Sequence, residues 1–289
     1  MYYLLAIDGG GTKTVGQLFC PQSGQRWQAR TGPAQLTNDY ASARQNVYDL
    51  CQQLMAQAGV APAQVVAIVG LAGAGNPSLH HAFVNDLALP FAAWQLTTDA
   101  RISLYGANLG HPVAVVAIGT GSVGMRLQAD GTELQVGGWG FTLGDEGGGA
   151  WLGKLLVRAL LWQLDWQRPL TPLLHATGTI CGTSVATILP WLKQATASDF
   201  AALAPLVYHY TEPLAEQLRQ QQAQAIAELA RCSLADQALP LVFLGGLAEQ
   251  SLPYLSESLR QHLQPAKGDA LAGGLALAAT LAASLSHHE

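Results

Sequence analysis

The chain begins with three short apolar segments separated by turn-forming residues. They are Tyr2–Ile7, Val15–Cys20 and a third near Arg26–Ala29. Short apolar runs between glycine-rich turns are typical of β-strands. The pattern then changes to helical spacing over Tyr40–Ala58, and Gly59 follows where a helix-ending glycine belongs. The start of the chain therefore predicts three strands followed by a helix.

Alternating strands and helices continue to about residue 109. The continuous apolar run Val65–Leu71 is typical of a buried parallel strand. After it we expect a helix over Pro77–Leu87, a strand over Gln95–Thr98 and a helix over Ala100–Leu109. This order predicts an α/β domain.

A second unit repeats the beginning of the first. Its pattern predicts four strands, over Pro112–Ile118, Val123–Gln128, Glu133–Val136 and Leu241–Leu244. Helices are predicted over Ala150–Leu164 and within Leu170–Leu234, and two further helices are predicted at the end of the chain. Ala6–Thr12 and Ala117–Ser122 share one design: an apolar strand, a Gly/Thr/Ser turn and a second strand. We therefore predict two like-folded domains that face each other across a central cleft.

The predicted domain boundaries follow from this duplication. The N-terminal domain comprises residues 1–112 together with 269–289, and the C-terminal domain comprises residues 113–268. The final helix, about Asp269–Ala283, is expected to pack back on the N-terminal domain. A length of 289 residues and a hydrophobic fraction of 49% suit two cores.

Charge and cysteine usage exclude several classes of function. The formal charge is −5 and no Lys/Arg cluster exists, so we expect no nucleic-acid partner. The apolar tail Leu271–Leu285 is too short for a membrane span, and Tyr2–Ile7 runs into Asp8 like a strand rather than a targeting segment. We expect a cytoplasmic protein without a membrane partner. The cysteines are scattered, so buried reduced thiols are expected; they are Cys20, Cys51, Cys181 and Cys232.

Two glycine-rich hairpins are suited to phosphate. Glycines let backbone N–H groups approach an anion, and nearby hydroxyls add donors. Asp8, at the end of the first strand, can hold a hydrated Mg²⁺ against the phosphates. The alternative is a pair of tight turns without a ligand. The predicted phosphate-binding residues are Asp8, Gly9, Gly10, Gly11, Thr12, Lys13, Thr14, Gly119, Thr120, Gly121 and Ser122.

Two further positions carry candidate chemistry. Asp99 follows a predicted strand and can accept the proton of an attacking hydroxyl, although it can equally be a helix N-cap. Gly137–Gly149 contains seven glycines, Trp139 and the acid pair Asp145 and Glu146. Carboxylates and an aromatic face fit a sugar site; the alternative is that the two acids cap the next helix, and both can hold at once.

Three other glycine motifs need separate interpretation. Gly119–Gly124 matches a dinucleotide fingerprint, but a strand rather than a helix is predicted after it. Gly148–Lys154 resembles a P-loop, but Leu155 stands where Ser or Thr would ligate Mg²⁺ and no strand precedes it. Leu244–Ala248, with Gly245 and Gly246, allows a flat backbone that suits adenine, and an ordinary strand–helix turn is its alternative.

These motifs, in this order, resemble the N-acetylglucosamine kinase group of the BadF/BadG-type ATPase family. The resemblance covers nearly the whole chain. It implies two duplicated RNase H-like (actin-like ATPase) domains, ATP and Mg²⁺ as cofactors, and a small amino sugar as substrate. Asp99 would be the base for the sugar 6-hydroxyl, and Gly245 and Gly246 would belong to the adenosine motif. Sugar binding would fall to Gln35, Asn38, Gly73, Asp99, Thr120, Gly121, Gly138, Trp139 and Asp145.

One departure from the family concerns the sugar. Gln35 stands where the family has a sugar-binding Asn, and Asn38 lies three residues on. The loop Ala72–Asn76, expected beside the sugar 2-substituent, has no carboxylate to pair an ammonium. We therefore predict an ATP-dependent kinase for the 6-hydroxyl of N-acetylglucosamine, with glucosamine as the alternative substrate.

Rival interpretations from other classes stay open. The activator-type ATPase of a radical dehydratase shares the fold and would use Cys181 and Cys232 as cluster ligands. A sugar sensor without catalytic activity is a third alternative, although Asp8 and Asp99 favour an enzyme. A homodimer is one open alternative for the oligomeric state.

Overall fold

The computed structural model describes residues 2–87 and 89–286, so His287 and His288 lie outside the described residues. The chain divides into two compact units: unit 1 is Met1–Pro112 with Ala266–Glu289, and unit 2 is Val113–Pro265. The sequence prediction placed the return to the first domain three residues later, at 269. The backbone N–H of Lys267 donates to the carbonyl of Ala107 at 2.9 Å, which joins this short segment to unit 1.

Unit 1 contains a five-stranded sheet in the order β3-β2-β1-β4-β5. Its strands are β1 (Tyr3–Gly9), β2 (Thr14–Phe19), β3 (Arg26–Thr31), β4 (Val65–Leu71) and β5 (Ala93–Thr97). The first three strands pair antiparallel, whereas β4 lies parallel to both β1 and β5. Every residue of β4 is buried, as its continuous apolar run predicts.

Within the described residues, three of the four helices of unit 1 precede unit 2 in the chain. They are α1 (Tyr40–Ala58), α2 (Pro77–Asp86) and α3 (Asp99–Ala107), with a 3₁₀ turn at Pro62–Gln64. Helix α1 begins where the Asp39 carboxylate accepts from the Ser42 N–H, and it ends at Gly59 with φ 65°. Its apolar face packs into the same core as Leu5 and Val69 of the sheet. The predicted glycine and the Asp39 cap, which was not predicted, therefore set the length of α1.

Unit 2 repeats the strand order of the first four strands of unit 1. Its strands are β6 (Val113–Ile118), β7 (Ser122–Leu127), β8 (Glu133–Gly137) and β9 (Leu241–Leu244). The sheet order is β8-β7-β6-β9, with β6–β7 and β7–β8 antiparallel and β6–β9 parallel. Because β7 is a strand, the dinucleotide fingerprint at Gly119–Gly124 lacks its helix, as predicted.

Eight helices and one 3₁₀ turn of unit 2 lie in the described part of the chain. They are α4 (Gly149–Asp165), α5 (Pro172–Cys181), α6 (Val185–Gln194), α7 (Ala197–Ala201), α8 (Ala204–His209), α9 (Pro213–Leu234), α10 (Ala248–Ser251) and α11 (Glu257–Arg260), with the 3₁₀ turn Leu252–Tyr254. Helix α9 packs on the sheet through Ile226 and Ala230, which share a core with Val116. Helices α4 to α8 form a second core.

The last helix, α12 (Ala270–Ser286), belongs to unit 1. It packs on β1 and α3, where Leu275 and Ala278 share a core with Ile102. A Cβ on Gly106 would collide with the backbone of Asp269, just before α12, and a Cβ on Gly273 with the backbone of Ile102 in α3. Both glycines therefore permit the close approach of the two helices. Between β9 and Ser286, where the description ends, the structure thus has three helices and a 3₁₀ turn, whereas the sequence predicted two helices. Among residues 2–87 and 89–286, no helix combines the length and apolarity that crossing a membrane requires.

Candidate functional site

The first glycine-rich hairpin of unit 1 joins β1 to β2. The Gly10 N–H donates to the Lys13 carbonyl at 3.1 Å, and Gly11, Thr12 and Lys13 are exposed. Thr14 is different, because it is fully buried and its hydroxyl donates to the Gly32 carbonyl at 2.7 Å. The expectation that the Thr14 hydroxyl would serve phosphate is therefore not supported, and its role is to hold the segment after β3.

Two other predicted segments are bonded to this hairpin through the backbone. The Ala34 N–H donates to the Gly10 carbonyl at 2.9 Å, and the Ala72 N–H donates to the Gly9 carbonyl at 2.9 Å. The Leu36 N–H in turn donates to the Ala72 carbonyl at 3.0 Å. These bonds place the turn that carries Gln35 and the loop 72–76 beside the hairpin in unit 1.

Two of the predicted sugar residues of unit 1, Gln35 and Asn38, contact each other. The Asn38 side-chain amide donates to the Gln35 Oε1 at 3.1 Å, and a Cβ on Gly11 would lie 2.8 Å from the same oxygen. Gly73 has φ 86°, and a Cβ there would lie 3.2 Å from the Thr37 backbone nitrogen. Gly11, Gln35 and Asn38 line a cavity of about 420 Å³, whereas Gly73 lies outside its lining. Its lining comprises Gly11, Gly32, Pro33, Gln35, Asn38, Asp39, Ser42 and Asn46.

The sequence analysis missed three residues of this cavity, Asp39, Ser42 and Asn46. Asp39 caps α1, and hydrogen bonds from the Ser42 N–H and hydroxyl lower the pKa of its carboxyl. Asn46 donates from its side-chain amide to the Pro33 carbonyl at 2.7 Å and so fixes the turn before Gln35. The Asp39 cap had a sequence signal, because Asp stands just before the helical pattern. Asn46 had none, since its partner is fixed only by the fold.

Asp99 is the first residue of α3 rather than its N-cap. The cap is Thr98, whose hydroxyl oxygen accepts from the Arg101 N–H at 3.1 Å. The capping alternative for Asp99 is therefore wrong. Its Oδ1 accepts from the Ala100 N–H at 2.9 Å, and burial raises the pKa of the carboxyl. A buried carboxylate with a raised pKa is a better proton acceptor than an exposed one.

Asp8 carries uncompensated negative charge. Burial, then repulsion by Asp99 and Asp269, raises the pKa of Asp8 to about 6, against the lowering effect of Lys13. Asp269 is a residue that the sequence analysis missed, and its carboxylate also caps α12 by accepting from the Ala272 N–H. The neighbouring carboxylates of Asp99 and Asp269 add negative charge that would favour a divalent cation near Asp8.

The donor set fits Mg²⁺ held mainly by water and phosphate. Among the residues that the structure describes, no group of three or more His, Cys, Asp or Glu side chains is arranged to hold a metal ion. Mg²⁺ typically uses one or two carboxylates together with waters and substrate phosphates. Asp8 satisfies that requirement.

The second hairpin, in unit 2, is tied to the start of α4. The Gly149 and Ala150 N–H groups donate to the carbonyls of Gly119 and Thr120, each at 2.8 Å. These bonds satisfy first-turn donors of α4, and its N-cap, Gly148, has no side-chain hydrogen bond. The alternative in which Asp145 and Glu146 cap this helix is therefore wrong.

Ser122 and Asp145 hold the glycine-rich loop 137–149 against the second hairpin. The Ser122 hydroxyl is buried and donates to the Glu146 carbonyl at 2.7 Å, so it is committed to the loop rather than open to phosphate. Asp145 has φ 61° and accepts from the Gly140 N–H at 3.0 Å. A Cβ on Gly121 would collide with the Asp145 carboxylate. Two predicted sugar residues, Gly121 and Asp145, are thus in contact.

Trp139 projects from the same loop with 86% of its side chain exposed. The neighbouring Gly138 has φ 68°, a conformation that favours glycine. An exposed indole on a loop beside a carboxylate can stack on an apolar sugar face. This arrangement agrees with the predicted role of Trp139, which stays a prediction.

The turn Gly245-Gly246 lies beside the second hairpin. A Cβ on Gly245, which has φ 96°, would collide with the backbone of Ile118, and the Leu247 N–H donates to the Ile118 carbonyl at 3.1 Å. No heavy atom lies within 4 Å of a Cβ built on Gly246. One side of this turn is therefore packed and the other is open, as a nucleotide-binding turn requires.

The cysteines do not form a cluster site within the described residues. Cys20, Cys51 and Cys181 are buried, and burial raises the pKa of the Cys181 thiol. Cys232 is exposed on α9, which corrects the expectation that all four thiols are buried. A buried Cys181 cannot ligate a cluster shared at a surface, so the geometry argues against the activator-type ATPase.

Two units share the order of four strands, and each carries a glycine-rich hairpin, which confirms the predicted fold class of two duplicated actin-like ATPase domains. The central cleft stays a prediction. Comparison with protein-family models agrees. The chain belongs to the BadF/BadG/BcrA/BcrD ATPase family, whose model matches residues 5–272.

Its relatives include amino-sugar kinases. A glucosamine kinase of Vibrio cholerae is 31% identical over 284 residues, 96% of each chain. An N-acetyl-D-glucosamine kinase of Dictyostelium discoideum is 25% identical over 273 residues, 85% of each chain. A solved structure from Chromobacterium violaceum, provisionally assigned as an N-acetylglucosamine kinase, is 34% identical with a TM-score of 0.85, over 96% of this chain and 99% of that one. The predicted enzyme class, an ATP-dependent sugar kinase, is thereby confirmed.

Proposed function

We propose that the protein transfers the γ-phosphoryl group of ATP to the 6-hydroxyl of an amino sugar. The observation that carries this proposal is Asp99, a partly buried carboxylate at the sheet edge with a raised pKa, near Asp8. The full-length similarity to kinases of glucosamine and N-acetylglucosamine supports the substrate class.

In the proposed reaction, Asp99 accepts the proton of the sugar 6-hydroxyl as O6 bonds to the γ-phosphorus. The bond from that phosphorus to the β–γ bridging oxygen breaks, and ADP leaves. Mg²⁺ held near Asp8 would neutralise charge on the phosphates. Exposed backbone N–H groups at Gly11 and Thr12 would bind phosphate oxygens.

Sugar recognition is proposed to use two sets of side chains. In unit 1, the bonded amides of Gln35 and Asn38 present donors and acceptors at the 420 Å³ cavity. In unit 2, Asp145 and Trp139 offer a carboxylate and an apolar face. Polar groups that are paired only with the correct sugar give discrimination, because an unpaired buried donor or acceptor costs about 1–3 kcal/mol.

The 2-substituent decides between the two amino sugars. The sequence argument for N-acetylglucosamine depended on the absence of a nearby carboxylate. Asp39 lines the same cavity as Gln35 and Asn38, and its lowered pKa keeps it ionised at neutral pH. An ionised carboxylate favours the ammonium of glucosamine over an acetamido group. We therefore place glucosamine ahead of N-acetylglucosamine as the substrate.

Analysis of the reaction product tests the proposal. Purified protein, ATP and Mg²⁺ are incubated with glucosamine, N-acetylglucosamine, glucose or mannose, and the products are examined by ³¹P and ¹³C NMR. Phosphate on the 6-carbon of an amino sugar is expected. Phosphate at another carbon would contradict the assignment of Asp99 as the base for O6. Iron analysis of anaerobically prepared protein tests the activator-type alternative, and stoichiometric iron would favour it.

A further inference from the structure

The P-loop lookalike Gly148–Lys154 is explained by packing in unit 2. A Cβ on Gly148 would lie 2.6 Å from the Gly121 carbonyl carbon, and a Cβ on Gly153 would collide with the Phe200 backbone. Both glycines therefore allow close contacts at the start of α4. Lys154 is the remaining residue of the motif. The contacts of Gly148, Gly153 and Lys154 explain their presence without a bound nucleotide.

Lys154 reaches from α4 to the middle of the glycine-rich loop. Its ammonium donates a hydrogen bond to the Phe141 carbonyl and lies 4.3 Å from the centre of the Phe141 ring. Bonds from a charged donor are stronger than neutral ones, and the contact with the ring adds a cation–π attraction. One lysine thus holds both the backbone and the side chain of Phe141.

Phe141 is in turn packed against a rigid layer of helices. Its ring centre lies 5.4 Å from that of Phe200, which lies 4.9 Å from that of Trp191 on α6. All three belong to the core that α4 to α8 form. Phe141 therefore fixes the position of the loop relative to this core.

The loop needs such an anchor because of its own composition. Four glycines, at 137, 138, 140 and 147, and Asp145 have positive φ, so the segment has many accessible conformations when it is released. Its end near Glu146 and Gly147 is held by the Ser122 hydroxyl and by the Gln222 side-chain amide, which donates to the Gly147 carbonyl at 2.8 Å. Phe141 lies nearer the other end, two residues after Trp139.

We propose that Lys154 is a positioning residue, which fixes the loop 137–149 through Phe141 so that Trp139 and Asp145 are held ready for the sugar. This role depends on the proposed sugar-binding function of the loop. In this role Lys154 acts through Phe141 and is assigned no contact with sugar or nucleotide. Losing it should therefore weaken sugar binding without removing any group that takes part in phosphoryl transfer.

Three variants separate this role from a general loss of stability. Lys154→Met keeps the length and apolar stem but removes the donor and the charge, whereas Lys154→Arg keeps both. Lys193→Met, at an exposed position on α6, is the matched control. Each is studied by hydrogen exchange of the loop amides, by thermal unfolding, and by KM for sugar and for ATP.

For Lys154→Met we expect loop amides over 138–147 to exchange roughly tenfold faster or more, with the sheet amides unchanged. The sugar KM should rise roughly tenfold, the ATP KM should stay within about twofold, and Lys154→Arg should recover most of the loss. Unchanged loop exchange would overturn the proposal, and so would faster exchange with an unchanged sugar KM. If wild-type protein phosphorylates no amino sugar, the proposed function fails instead, and loop exchange still reports whether Lys154 anchors the loop.

Discussion

Replacing Asp8 by asparagine should stabilise the folded protein at neutral pH while it abolishes activity. Burial and the nearby carboxylates of Asp99 and Asp269 raise the pKa of Asp8 from 3.8 to about 6. The folded state therefore holds this proton more tightly than the unfolded chain does. Stability is lost as the pH rises from about 4 through about 6, and the full penalty is present at pH 7.5. Asparagine is neutral at every pH and escapes the penalty.

The difference between a pKa of about 6 and one of 3.8 corresponds to about 3 kcal/mol, at 1.36 kcal/mol for each pKa unit. Asp8 is only partly buried, so solvent screening reduces the effect to about 1–2 kcal/mol. For a unit of this size, that gain raises the melting temperature by roughly 2–8 °C.

Urea denaturation without nucleotide, at pH 7.5 and 4.5, measures the effect. Asp8→Asn should be more stable than wild type at pH 7.5, and the gain should shrink at pH 4.5, where folded wild-type Asp8 is largely protonated. Asp236→Asn, at an exposed position, serves as the control and should change little at either pH. An Asp8→Asn protein that gains nothing at pH 7.5, or gains equally at both pH values, would refute the reasoning.

Three further substitutions, with Thr98→Ala as a control for the first, test the site. Asp99→Asn should bind sugar and ATP but lose roughly 10²–10⁴-fold in kcat, and the kcat/KM of wild type should fall at low pH as the Asp99 carboxylate is protonated. Thr98→Ala should instead cost about 1 kcal/mol of stability, because the cap of α3 is lost. Normal turnover by Asp99→Asn would refute the role of Asp99 as the base. Gly121→Ala places a methyl group against the Asp145 carboxylate and should raise the sugar KM roughly tenfold in steady-state assays; an unchanged KM would mean that this contact is not needed. Gln35→Ala should lower kcat/KM for the sugar far more than for ATP, and an equal loss for both would show that Gln35 does not contact the sugar.

Most of the fold could be predicted from local pattern. The bounds of α1, β4 and β9 agree with the sequence prediction because each is set by strong local signals: a cap and a terminal glycine, or a continuous apolar run. The repeated strand–turn–strand design at Ala6–Thr12 and Ala117–Ser122 predicted the duplicated topology. Chain segments without such signals, as after β9, were predicted with too few helices.

The sequence predicted which residues belong to the site better than it predicted the hydrogen bonds that those residues make. Thr14 and Ser122 were expected to offer hydroxyls to phosphate, yet each bonds to a carbonyl distant in sequence, at Gly32 and Glu146. Partners that the tertiary fold brings together leave no local pattern. Asp39 is the opposite case, because its capping pattern was visible while its place on the sugar cavity was not.

The central claim, phosphorylation of an amino sugar recognised through its free amine, is tested most directly by kcat/KM. The measurement compares glucosamine, N-acetylglucosamine and glucose at pH 7 with saturating ATP and Mg²⁺, for wild type and for Asp39→Asn, which keeps the α1 cap but removes the charge. We expect wild type to prefer glucosamine at least tenfold over either competitor, and Asp39→Asn to lose most of that preference. An equal or greater kcat/KM for glucose would contradict the claim, and a preference for N-acetylglucosamine that Asp39→Asn leaves unchanged would contradict the assignment of Asp39.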